Sequence, residues 1–164
     1  MANTISVLMT RYSDLLSRLV YCLTGRGYTH VSISLGCGAP YYSFNFKGFC
    51  RETLEKHRRR EVTDSLELQL EIPDTAFRGI QRKLRLMEAF APRYHYSRLG
   101  VCCALLHLPF RWRRHYFCSQ FVAELLSASG ALKLEKPACL YLPQPLLREL
   151  IGQPNLVAVQ ENII

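Results

Sequence analysis

HYFCSQFVAELLS, the sequence of residues 115–127, combines a cysteine with the start of an amphipathic helix. Cys118 stands at the first helical position, and apolar residues follow it on one face at helical spacing: Phe121, Val122, Leu125 and Leu126. The positive end of a helix dipole favours a thiolate over a thiol. A cysteine at this position is therefore a candidate nucleophile.

A histidine opens a predicted strand far upstream, in the sequence YTHVSISL of residues 28–35. Val31, Ile33 and Leu35 alternate with polar residues, which is the period-two pattern of a half-buried strand that begins at His30. A thiolate beside an imidazole is a nucleophile for acyl chemistry. The two motifs predict a Cys118–His30 pair, provided that the fold joins residues 88 positions apart.

The composition is that of an ordinary globular domain. The chain has 164 residues, of which 49% are hydrophobic and 21% charged, so we expect one domain over residues 1–164 with one sizeable core. Its net charge of +8 could attract nucleic acid, anionic lipid or an acidic substrate, or could simply form a solvated surface. Because neither zinc-finger spacing nor an RRM aromatic signature accompanies the charge, the sequence gives no specific nucleic-acid signal.

The seven cysteines indicate a reducing compartment. Their number is odd and no secretory signal precedes them, so we expect a cytoplasmic protein with mostly free thiols. The chain has no CxxC pair, and the sequence predicts neither a metal site nor a cofactor. The longest nearly uncharged stretch, Leu99 to Phe110, has 12 residues. A membrane span needs about 20, so no transmembrane segment is expected.

The hydrophobic pattern predicts an α+β fold, with an antiparallel sheet or partial barrel packed against the Cys118 helix. Strands are expected at residues 4–9, 29–35, 41–46, 49–53, 66–72 and 156–159. Helices are expected at residues 13–25, 74–90, 97–108, 118–129 and 146–151. The highly charged run of residues 55–61 is predicted to be a solvated loop.

The two motifs resemble circularly permuted papain-like proteins related to NlpC-type cell-wall peptidases, and among these the bacterial YiiX-like proteins most closely. In that group a strand opening with His-Val-small-Ile precedes a helix opening with Cys-Ser-polar-Phe-Val. A Pro-containing segment follows, comparable to residues 141–145 here. The resemblance covers roughly residues 3–160 and implies a circularly permuted papain-like (NlpC-type) domain. Lecithin:retinol acyltransferase-like enzymes fit less well, because Phe117, Ser119 and Gln120 replace their Asn, Glu and His.

By this resemblance the chain is a thiol-dependent hydrolase, a peptidase or amidase that works through an acyl-enzyme, with Cys118 as nucleophile and His30 as base. The group that orients the imidazole is expected on the strand after the histidine strand, where several relatives use Glu. That stretch holds no acid here, and Ser43 is the first choice by register and Asn45 the second. A neutral orienter stabilises imidazolium less well than a carboxylate does.

The oxyanion of the reaction needs hydrogen-bond donors near the thiol. The backbone N–H of Cys118 is the expected donor, and Ser119 or Tyr116 is the expected second one.

Two other functions stay open. A thioesterase or acyltransferase for a lipid-like substrate would use the aromatic residues of strand 41–46 as an apolar pocket, although these residues fit a core equally well. A non-catalytic module that binds an anionic ligand through its arginines is favoured by the missing acidic orienter. The expected partners are therefore a peptide, amide or acyl substrate, or an anion on the arginine-rich surface.

Overall fold

Residues 2–12, 27–36, 39–59, 62 and 64–164 are described in the computed structural model of the protein. The strands in these ranges are β1 (Ala2–Arg11), β2 (His30–Ser34), β3 (Tyr41–Asn45), β4 (Gly48–Glu52), β5 (Asp64–Pro73), β6 (His95–Tyr96), β7 (His115–Tyr116) and β8 (Leu156–Glu161). The α-helices are α1 (Leu54–Arg58), α2 (Asp74–Ala89), α3 (Arg98–Leu105), α4 (Cys118–Ala128) and α5 (Pro143–Ile151). Two short 3₁₀ helices lie at Ala91–Arg93 and Ala138–Leu140.

The main sheet has the strand order β4-β3-β2-β1-β5-β8, and each neighbouring pair is antiparallel. The two-residue strands β6 and β7 form a separate parallel pair. This arrangement confirms the predicted α+β class with an antiparallel sheet. The predicted helix at residues 13–25 lies outside the described residues.

One face of the sheet is covered by helices α2 and α4. Alternation along β1 and β2 places Val7, Val31 and Ile33 in the core with no exposed surface. From α4, the ring of Phe121 packs on Phe44, with centroids 5.1 Å apart, and on Phe49, with centroids 5.9 Å apart. Burial of one such aromatic side chain stabilises the fold by about 1.5–3 kcal/mol. This packing fixes α4, and with it Cys118, against β2 and β3.

The prediction of a solvated loop at residues 55–61 is wrong for its first part, which forms helix α1. The Thr53 hydroxyl oxygen accepts a hydrogen bond from the backbone N–H of Lys56 at 3.2 Å, which is an N-cap. Glu55 and Arg59 pair across one turn of the helix surface. The charged residues therefore face solvent, while His57 is buried with 1% of its surface exposed.

Gly48, the first residue of β4, occupies a position that only glycine fits. Its φ is +101°, and a Cβ there would overlap the carbonyl oxygen of Tyr94. Gly130 also has a positive φ, of +76°, but a Cβ there would meet nothing within 4 Å.

We expect Gly48→Ala to lower the free energy of unfolding by about 3 kcal/mol, since left-handed strain of about 1–2 kcal/mol adds to overpacking of about 1–3 kcal/mol. Gly130→Ala is the matched control, and its cost should be the strain alone. Urea denaturation of both variants measures the difference. An equal decrease in the free energy of unfolding for both variants would show that the contact with Tyr94 does not contribute to the cost of Gly48→Ala.

Candidate active site

The N-terminus of α4 places Cys118 at the start of β2. Phe117 precedes the helix in an extended conformation, with φ −107° and ψ 165°, and Cys118 is the first helical residue, as predicted. The β2–β3 ladder consists of two residue pairs, Ile33–Tyr42 and Ser34–Tyr41. Val31 lies before these pairs on β2, and its backbone hydrogen-bonds with Cys118.

Cys118 and His30 meet in the structure, although they lie far apart in the sequence. The thiol of Cys118 and the ring of His30 form a hydrogen bond. Both residues are nearly enclosed, with 5% of Cys118 and 7% of His30 exposed. The far ring nitrogen of His30, Nε2, lies 2.9 Å from the Glu52 carboxylate, so Nδ1 is the nitrogen left to face the thiol.

Glu52, at the end of β4, is the group beside the His30 ring, and the sequence interpretation missed it. The expectation of a neutral orienter on β3 is corrected by the contacts of both candidates. The Ser43 hydroxyl donates to the Val31 carbonyl at 2.5 Å, and the Asn45 side-chain oxygen accepts from the Lys47 backbone N–H at 2.9 Å. Neither side chain orients the imidazole, and a buried carboxylate takes that place.

Strand register explains why Glu52 can reach His30. Ser34 pairs with Tyr41, which in turn pairs with Glu52. Side chains alternate between faces along each strand, so His30 and Glu52 lie on the same face of the sheet. Ser43 lies on this face as well, but the acid comes from the next strand, β4. The alternation of Cys50 and Glu52 within the predicted strand 49–53 is the signal that could have revealed it.

The charges of the three groups stabilise one another. Burial lowers the pKa of His30, but the Glu52 carboxylate and the hydrogen bond with Cys118 outweigh it and raise that pKa to about 10. Burial raises the pKa of Glu52, but His30 outweighs this effect and lowers that pKa to about 2. Burial also raises the pKa of Cys118, yet the hydrogen bond and charge of His30 lower it overall. The arrangement favours thiolate, imidazolium and carboxylate together.

The first turn of α4 carries backbone N–H groups at the place where the sequence predicts donors for an oxyanion. The first N–H groups of a helix have no partner within the helix, and Cys118 and Ser119 lie in this turn. The backbone of Ser119 hydrogen-bonds with Cys118, whereas its buried hydroxyl oxygen has no hydrogen-bond partner in the described part of the chain. The expectation for Tyr116 is corrected, because its hydroxyl donates to Glu124 at 3.2 Å.

Further features of the described residues concern free thiols, groups that could hold a metal ion and helices that could span a membrane. Five cysteines there are free: Cys50, Cys102, Cys103, Cys118 and Cys139. In the same ranges, no group of three or more histidine, cysteine, aspartate or glutamate residues is arranged to hold a metal ion. None of the helices described is long and apolar enough to cross a membrane.

No protein-family model matches the chain, and no curated protein matches it. What the Cys118–His30–Glu52 cluster can do chemically follows from its geometry.

Proposed function

We propose that the protein is a thiol-dependent hydrolase, a peptidase or amidase of circularly permuted papain-like (NlpC-type) fold, with Cys118 as nucleophile and His30 as base. The observation that carries the proposal is the continuous contact from the Cys118 thiol through the His30 ring to the buried Glu52 carboxylate. Three side chains in contact in this order keep the thiol ionised, and the imidazolium can then act as the acid that protonates the leaving group.

The proposed reaction has two steps. The Cys118 thiolate attacks the carbonyl carbon, a C–S bond forms, and backbone N–H groups of the first turn of α4 stabilise the oxyanion. The His30 imidazolium gives its proton to the leaving amine as the C–N bond breaks, which leaves an acyl-enzyme. His30 then takes a proton from water, which attacks the thioester and releases the acid and the thiolate. Glu52 accepts from Nε2 throughout and keeps the ring oriented.

Peptide or amide substrates are preferred over lipids because the aromatic residues of β3 belong to the core. Tyr41 and Phe44 are buried, and Phe44 packs against Phe121 and Tyr116. Of these rings, Tyr41 also borders a cleft of about 540 Å³, but charged groups such as Arg51 and Glu67 share its lining. The argument for a lipid-directed thioesterase or acyltransferase is therefore weakened. A reducing cytoplasm suits the proposal, since a thiolate nucleophile is oxidised readily elsewhere.

Selective alkylation tests the proposal directly. At pH 7 we expect iodoacetamide to modify Cys118 at least about tenfold faster than the other thiols, because the thiolate is the reactive form. His30→Ala should remove this advantage, whereas His95→Ala, which replaces an exposed histidine, should preserve it. Mass spectrometry of the modified peptides gives the rates. Equal reactivity of all cysteines would contradict the proposal.

A second candidate function, binding of an anionic ligand, is favoured by a cleft of about 420 Å³ beside α4. Its lining includes Lys83, Arg111, Arg113 and Arg114, and Arg111 is paired with Glu124 at 3.2 Å. A binding module should hold a tetraglutamate peptide in this cleft, and Arg113→Gln with Arg114→Gln should weaken the binding. This function gains support only if Cys118 is no more reactive than the other thiols.

A further inference from the structure

The Glu52 carboxylate has a second imidazole beside it, from a residue that the proposed reaction does not use. Nε2 of the buried His57 lies 3.5 Å from the Glu52 oxygen Oε2, which is also the oxygen next to His30. The other nitrogen of His57, Nδ1, lies 2.6 Å from the hydroxyl of Tyr12. Tyr12 directly follows β1, and its ring centroid lies 5.4 Å from that of His30. Two imidazoles, one carboxylate and one phenol therefore form a single cluster.

The hydrogen positions in this cluster follow from the chemistry of its members. An ionised carboxylate can only accept, and a neutral imidazole carries one hydrogen. In neutral His57 the hydrogen therefore belongs on Nε2, which faces Glu52, and Nδ1 accepts from the Tyr12 hydroxyl. At 3.5 Å the contact between Nε2 and the carboxylate is electrostatic rather than a direct hydrogen bond, whereas the Tyr12 contact is short.

The second carboxylate oxygen is also occupied. The Cys50 sulfur lies 3.7 Å from Oε1 of Glu52, within range of a weak S–H donor. A buried carboxylate is costly unless donors surround it. The groups that act on Glu52 from the elements around it are His30, His57, Lys56 and Cys50. Cys118 interacts with His30, and Tyr12 contacts His57.

We propose that Tyr12 and His57 are positioning residues, which orient the Glu52 carboxylate so that it holds the His30 ring against Cys118. This inference rests on the proposed function of Cys118 and His30. Tyr12 fixes the tautomer of His57, and the N–H of His57 then directs its positive end at Oε2. The five groups come from five different parts of the fold: the end of β1, α1, β4, β2 and α4. Each side chain in the order Tyr12, His57, Glu52, His30 thereby restricts the rotamer of the side chain that follows it.

The test is the pH dependence of Cys118 alkylation by iodoacetamide in the full chain. Below the pKa of the thiol, the rate follows the thiolate fraction, and a shift of one unit changes it tenfold. We expect Tyr12→Phe, which keeps the ring and removes the hydroxyl, to lower the rate at pH 5 by about threefold and to leave the rate at high pH unchanged. His57→Leu should lower the alkylation rate at pH 5 by about tenfold. His57→Gln should restore much of this rate, because the amide keeps a donor near Glu52.

Controls separate this inference from the proposed function. Tyr94→Phe removes a hydroxyl outside the cluster and should leave the pH–rate profile of Cys118 alkylation unchanged. If Glu52→Gln shifts the profile but Tyr12→Phe and His57→Leu do not, Tyr12 and His57 have only a structural role and the inference fails. If His30→Ala and Glu52→Gln also leave the profile unchanged, the proposed function fails as well. Should His57→Leu not fold, Tyr12→Phe alone decides, because it retains the packed ring.

Discussion

Cys118→Ser is expected to lower the hydrolysis of p-nitrophenyl acetate by at least about 10³-fold, because this variant lacks the nucleophile. A serine hydroxyl is far less acidic than a thiol, and the charges of His30 and Glu52 that favour a thiolate do not suffice to form an alkoxide. Intact-protein mass spectrometry should detect an acetyl adduct on the wild-type protein and none on the variant.

Cys139→Ser is the matched control for this experiment. Cys139 is also a buried free thiol, with 3% of its surface exposed, but it lies in a 3₁₀ helix and is not among the groups that shift the pKa of His30. Its replacement should leave both the rate and the adduct unchanged. Hydrolysis by Cys118→Ser within about tenfold of the wild-type rate would exclude Cys118 as the nucleophile.

Glu52→Gln is expected to have the second largest effect, since it removes the carboxylate that stabilises the His30 imidazolium. Without this charge, the pKa of His30 falls and the pKa of Cys118 rises. Loss of a close opposite charge shifts a pKa by about 1–2 units, so alkylation of Cys118 at pH 6 should slow by about 10- to 100-fold. At pH 10 the rate should approach that of the wild type, because the thiol ionises there without help.

The same substitution should lower the free energy of unfolding by about 3 kcal/mol, because it leaves buried groups without their charged partner. Glu52 has a pKa of about 2 in the fold against 4.5 ordinarily, so its contribution is complete above pH 4.5 and is lost towards pH 2. His30 has a pKa of about 10 against 6.5, so its contribution is complete below pH 6.5 and is lost towards pH 10. The difference between wild type and variant should therefore be largest between pH 4.5 and 6.5.

Urea denaturation at pH values from about 2 to about 10, on both sides of this maximum, measures the difference. Glu55→Gln provides the control on the neighbouring helix α1, where the carboxylate is 70% exposed and pairs with Arg59 at the surface. Its effect should stay below about 1 kcal/mol at every pH. A Glu52→Gln effect that is equally small, or that does not depend on pH, would mean that the buried charges contribute nothing to stability.

The sequence predicted the parts of the site that depend on local patterns. The alternation around His30 predicted β2, and the apolar spacing after Cys118 predicted α4, because each pattern reports the side-chain period of one element. Their meeting could be expected from the resemblance to permuted papain-like proteins. Glu52 could not be found in this way, since its contact with His30 depends on how β3 and β4 pair, and strand register is a long-range property.

Helix α1 shows a different limit of sequence interpretation. Its composition is that of a solvated loop, but the cap at Thr53 starts a helix, and tertiary contacts decide that His57 points inward. The charged neighbours of His57 conceal this outcome in the sequence. The charged run therefore predicts a surface position for His57, although it is one of the most enclosed polar residues described.

The place of β4 in the sheet has a consequence for the durability of the site. In the strand order described, β4 is outermost, and β3 alone pairs with it. Outer strands take part in the low-energy openings that precede global unfolding. A transient detachment of this strand would carry the carboxylate away from the imidazole while the central strands remain assembled. The proposed hydrolase activity is then expected to be the first property lost on warming, before the core of the sheet unfolds.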